Sequence, residues 1–75
     1  MSKLSEMPAG SKGRLQALSG DGRFISRVTS MGLTIGCPIE VLKNEGRQPI
    51  LIFSRDTVVA LSRKECEKIE VGGMK

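Results

Sequence analysis

The 75-residue chain contains no histidine, no tryptophan and no tyrosine, and its only aromatic side chains are Phe24 and Phe53. Each gap excludes a chemistry. Without histidine there is no imidazole for zinc, copper or iron, no general base of the commonest kind and no His-based triad. Two aromatics offer little on which nucleic-acid bases can stack. Cysteine is also sparse. Cys37 and Cys66 form no CxxC and have no third partner, so no zinc motif assembles in one chain and both read as buried, reduced thiols. The carboxylates lack the loop spacing of an EF-hand. Long apolar runs are absent too: the longest, Ile50 to Phe53 and Val58 to Leu61, fall far short of the ~20 residues of a membrane-spanning helix. The opening residues, MSKLSEMPAG, carry one lysine and no apolar core of the kind a secretory signal needs, so the chain reads as cytoplasmic.

What is present fits one small domain over residues 1–75, with 39% hydrophobic and 27% charged residues. A chain of this size buries only about 60% of its unfolded surface, which leaves one thin core and no room for an elaborate enzyme pocket. Twelve Lys and Arg against eight Asp and Glu give a net charge of +4, which points toward an anionic partner. The cations are interleaved with acids along the whole chain, however, and make no continuous basic run.

The residue pattern predicts mainly strands. Pro8-Ala9-Gly10 is a turn, and Lys12 to Ser19 alternates imperfectly as a first strand. From Arg23 the period changes: Phe24, Ile25, Val28 and Met31 fall on one helical face, with Arg23, Arg27 and Ser30 opposite. Asp21 suits the N-cap, and Gly32 suits the left-handed position beyond the last turn, which brings Leu33 back onto Val28. Thr34-Ile35-Gly36 makes a tight turn. Pro38 then opens a strand over Ile39 to Lys43, Asn44 to Arg47 is a loop, and Ile50 to Phe53 is a strand apolar on both faces. Ser54 to Thr57 turns into Val58 to Leu61. Ser62 and Glu65 match a capping box, predicting a helical turn through Cys66 and Glu67. Ile69 and Val71 mark a last strand, and residues 72–75 read as a flexible tail. About five strands, one longer helix and a short C-terminal helical turn suggest a small closed SH3-like barrel, because closure removes exposed strand edges. Both phenylalanines read as core.

The order of pieces resembles the FeoA family of prokaryotic ferrous-iron uptake. The resemblance rests on Leu4 to Gly10 followed by Lys12-Gly13-Arg14, on Arg27 through Met31-Gly32-Leu33-Thr34-Ile35-Gly36, and on Val59 to Arg63 before Cys66-Glu67-Lys68-Ile69. The loop Glu45-Gly46-Arg47-Gln48-Pro49 departs from the Pro-Leu-Gly-Asp-Pro-like tip of many members. The resemblance implies an SH3-like fold and a cytoplasmic accessory role through protein contact with FeoB, the membrane transporter with a GTP-binding domain; the residues themselves suggest no catalytic group and no cofactor. It also implies partner contacts through Arg23, Arg27 or Arg47, where an arginine offered in trans could steady a transferring phosphate. Leu33 and Ile35 join that surface if they lie exposed on a continuous apolar patch. Gly32 and Gly36 are explained by the helix stop and the turn alone. Two other readings compete. A small basic barrel could bind RNA or DNA, but scattered charge and few aromatics weigh against it. An enzyme would need a phosphate loop or an activated nucleophile, and neither is recognisable.

Overall fold

The computed structural model describes residues 2–73. Its strands are β1 (Ser2–Lys3), β2 (Lys12–Leu18), β3 (Pro38–Lys43), β4 (Ile50–Ser54), β5 (Thr57–Leu61) and β6 (Ile69–Gly72), with helices α1 (Gly22–Ser30) and α2 (Arg63–Cys66). They form one antiparallel sheet in the order β1-β6-β2-β3-β4-β5. The fold is mainly β with one longer helix, as the alternation predicts.

Six strands are present among the described residues, against the expected number of about five. The additional one, β1, pairs Ser2 with Val71 and Lys3 with Glu70; two residues are too few to show any periodicity in the sequence. Gly72, expected in the tail, is instead buried in β6 opposite Arg14. Gly73 is an exposed bend, and the rest of the expected tail, Met74 and Lys75, lies outside the described residues.

Period-two patterning explains which faces are inside. Leu15, Ile39, Val41, Ile50, Ile52, Val59, Leu61, Ile69 and Val71 point inward and are buried. Each fully buried Leu or Ile contributes about 1.5–3 kcal/mol relative to exposure. α1 contributes Phe24 and Val28 to the same core, and Cys37 and Cys66 add small buried side chains to it. Phe53 is not core: it points outward from β4 and is half-buried. That accounts for a strand apolar on both faces, since Leu51 and Phe53 stand on the outer surface beside Val58 and Ala60 of β5.

The caps follow side-chain chemistry. The Asp21 carboxylate accepts the Phe24 N–H at 2.9 Å. At the other end of α1, Leu33 N–H donates to the Val28 carbonyl and Gly32 N–H to that of Thr29, both at 3.0 Å. This paired arrangement requires a left-handed residue, and Gly32 has φ of +96°. Before β2, a 3₁₀ turn at Leu4–Glu6 buries Leu4 and Met7. The Asn44 amide fastens this segment by donating to the carbonyls of Met7 at 2.7 Å and Ser5 at 3.3 Å. Sequence spacing gave no sign of that long-range clamp.

The sheet is not closed through hydrogen bonds. Its pairing ends at β5, and among the described residues no ladder joins β5 to β1. Closure, expected to remove exposed edges in a small closed barrel, therefore does not protect β5 through hydrogen bonds.

Candidate partner-binding surfaces

The residues singled out by sequence occupy three places. Arg23 and Arg27 lie on the exposed face of α1, Leu33 to Gly36 follow its C-terminus, and Arg47 is exposed in the β3–β4 loop. α1 brings the first two together one turn apart. They are not equivalent.

Arg23 is exposed, whereas the Arg27 guanidinium pairs with Oε2 of Glu65 and lies 5.9 Å from the centroid of the Phe24 ring. Lys68 Nζ stands 4.9 Å from the same centroid. Two cations thus engage one buried aromatic, a favourable charge–quadrupole arrangement. Arg27 is committed to fastening helices rather than being presented freely to a phosphate.

Leu33 leaves the docking surface altogether. Its return onto Val28 at the helix stop makes it core, with 1% exposure. Ile35 behaves oppositely and is 62% exposed. The Cys37 N–H donates to the Thr34 carbonyl at 3.0 Å, so Ile35 and Gly36 are the central residues of a tight turn and Ile35 occupies its tip. Gly36 takes φ of +90°, donates to Leu15 O at 2.7 Å and accepts from Arg14 Nη1 at 3.0 Å. These bonds fasten the turn to β2 and leave Ile35 facing outward.

An open groove of about 210 Å³ on the sheet was not anticipated. Lys12, Gly13, Pro38, Ile39, Glu40, Phe53, Ser54 and Arg55 line it. The register pairs Lys12 with Glu40, Glu40 with Phe53, and Phe53 with Val58, making one cross-strand row. Ser54, buried beneath, donates its hydroxyl to Pro38 O at 2.5 Å. The alternation of β4 carried the only sequence signal, because it assigns Leu51 and Phe53 to the face opposite Ile50 and Ile52.

The cysteines offer no reactive centre. Both are buried and free, and burial pushes the Cys66 thiol up to about 11, with Arg63 pulling weakly the other way. A thiol that remains protonated is a poor nucleophile and a poor metal ligand. Among the described residues no three His, Cys, Asp or Glu side chains gather as a metal set. No described helix is long and apolar enough to cross a membrane.

Comparison with known proteins decides the family. The FeoA domain matches residues 2–72. This chain belongs to the FeoA family. A crystal structure of an iron uptake regulatory protein, FeoA, superposes with a TM-score of 0.88 at 31% identity, covering 93% of each chain. FeoA of Stenotrophomonas maltophilia, solved with zinc and described as a procaryotic SH3 domain protein, has a TM-score of 0.84 at 18% identity. It covers 100% of this chain and 96% of its own, and it shows the SH3-like fold. The same fold occupies 40% of a manganese-dependent transcriptional repressor, which matches 93% of this chain with a TM-score of 0.87 at 19% identity. No curated protein sequence matches the chain. The chain is thus an SH3-like FeoA protein, of a family of accessory proteins associated with ferrous iron transport.

Proposed function

We propose that this FeoA protein is a cytoplasmic accessory factor of ferrous iron uptake that acts by binding the GTP-binding region of a FeoB-type transporter. The observation that carries the reading is the FeoA match over residues 2–72, nearly the whole chain. Binding rather than catalysis is favoured by the site chemistry. The thiols are buried, Cys66 is held protonated, and Arg27 is engaged by Glu65. Arg23, Ile35 and Arg47 retain exposed side chains for contact. Ferrous iron is the transported substrate in this reading and requires no site on this chain.

Titration calorimetry against the cytoplasmic region of the transporter from the same source, with GDP or a GTP analogue, tests the reading. Saturable binding that differs between nucleotides is expected, and linkage then requires this protein to shift the transporter's nucleotide preference by the same factor. A generic RNA is the control. Binding to RNA alone, lost steeply as salt rises, would replace the transporter reading with nucleic-acid binding through the +4 surface.

A further inference from the structure

The open edge of β5 follows from hairpin geometry. Arg55 and Asp56 form a two-residue tip with φ of +51° and +65°, so the closing pair, Ser54 and Thr57, is of the hydrogen-bonded kind. Alternation makes Ile52–Val59 and Ile50–Leu61 bonded pairs as well, and leaves Phe53–Val58 and Leu51–Ala60 as the non-bonded ones. Val58 and Ala60 therefore direct both N–H and C=O away from β4. Among the described residues, these outward groups meet no backbone partner.

Nothing in the strand guards that edge. Exposed edges ordinarily carry an inward charge, a lysine, a proline or a bulge. Thr57-Val58-Val59-Ala60-Leu61 has none of these, and its ladder with β4 runs without a register shift. Val58 is 57% exposed, and half-buried Leu51 and Phe53 continue the apolar surface beside it. Charge lies at the strand's ends instead. Arg55 stands at one end beside Asp56, with half-buried Arg63 and exposed Lys64 at the other; Glu65 is already taken by Arg27 and the Ser62 N–H.

Resting on the protein-binding reading above, we propose that the edge of β5 binds an extended, apolar segment of a partner protein, flanked by carboxylates, as an added β-strand. Main-chain groups of Val58 and Ala60 supply the ladder, and alternate side chains of the segment pack on Val58, Ala60 and their β4 neighbours. Arg55 and Arg63 receive the carboxylates. A second copy of this chain fits less well. Full-length antiparallel pairing of β5 with itself about Val59 sets Arg55 opposite Arg63 at both ends, and so short a contact falls well below the roughly 1,600 Å² of a stable interface.

Amide exchange on the full-length, isotope-labelled protein tests this directly, using two peptides of alternating valine and threonine, one ended by glutamates and the other by lysines. The glutamate-ended peptide is expected to slow exchange at Val58 and Ala60 by about tenfold or more, with the lysine-ended peptide giving little protection. Val58→Lys, which restores a guard on an exposed position, is expected to weaken that binding by about tenfold while the urea midpoint stays unchanged. Protection elsewhere, equal binding of both peptides or binding of neither overturns the proposal. Protection that grows with protein concentration alone also overturns it, in favour of self-pairing. If the transporter region binds the wild type and Val58→Lys equally, the edge is not its contact and the FeoB reading stands. If the glutamate-ended peptide protects the edge but the transporter region does not bind, the edge proposal stands and the FeoB reading fails.

Discussion

Arg27 and Glu65 join the two helices through a carboxylate with two tasks. Oε2 of Glu65 receives the Arg27 guanidinium, while Oε1 accepts the Ser62 N–H at 2.9 Å and closes the capping box of α2. The Glu65 N–H returns a bond to Ser62 Oγ at 3.2 Å. An arginine that looks free on a helical wheel is thereby tied to a helix distant in sequence.

Removing the two partners should have unequal effects. Glu65→Ala loses both the cap and the ion pair and is expected to lower stability by about 1–2 kcal/mol. Arg27→Ala leaves the cap and is expected to lower it by about 1 kcal/mol or less, because the Arg27 side chain is half exposed and its pairing is screened by solvent. Urea denaturation of both variants and of the double variant gives the coupling between them. Equal losses for the two single variants would deny Glu65 its second task.

Arg23 tests the outer face of α1 without disturbing this link. Arg23→Glu is expected to reduce affinity for the transporter's cytoplasmic region, mainly by slowing association, with an unchanged urea midpoint. Arg27→Glu is unsuitable for the purpose, since it would set two carboxylates against each other. Unchanged affinity in Arg23→Glu would remove α1 from the interface.

These contrasts show what was legible in the sequence. Local rules read well: Asp21, Gly32, Ser62 and Glu65 stand where capping chemistry places them, because those bonds span three to five residues. Long-range partners were not readable. Nothing in the spacing links Arg27 to Glu65, or Asn44 to Met7, since each contact depends on how the sheet curls. Phe53 was misplaced for a related reason: an apolar run has two faces, and only the register with β5 shows which one faces out. Leu33 and Ile35, two residues apart in one motif, separate into core and surface because the Gly32 stop turns one inward and the Gly36 turn holds the other out.

Alkaline pH should weaken the fold through Cys66. Burial raises its thiol from 9.0 to about 11, so the folded state holds its proton more tightly than the unfolded chain does. The resulting stability is fully present below pH 9.0 and is lost as pH rises toward about 11. Cys66→Ala is expected to lower stability near neutrality by leaving a small cavity, yet to flatten the decline across that alkaline window. Urea midpoints measured through the window decide it. An undiminished decline in the variant would assign the effect to other groups.

The β4–β5 tip provides a stability prediction that bears on binding. Arg55 and Asp56 both occupy the left-handed region, where a Cβ crowds the backbone, although the tight hairpin turn at this position favours Asn followed by Gly. Arg55→Asn combined with Asp56→Gly is therefore expected to raise stability by about 1 kcal/mol, the relief of strain exceeding the entropy that a glycine adds to the unfolded chain. The double variant removes Arg55 together with the neighbouring carboxylate of Asp56, so the single variant Arg55→Asn reads the proposed contact with a partner's carboxylate. If the edge of β5 binds as proposed, the double variant will have a higher urea midpoint and Arg55→Asn alone a weaker affinity for the glutamate-ended peptide, so the strained arginine serves contact at the expense of the turn. Unchanged affinity in Arg55→Asn would leave the strain without a functional counterpart and would place the carboxylate contacts at Arg63 alone.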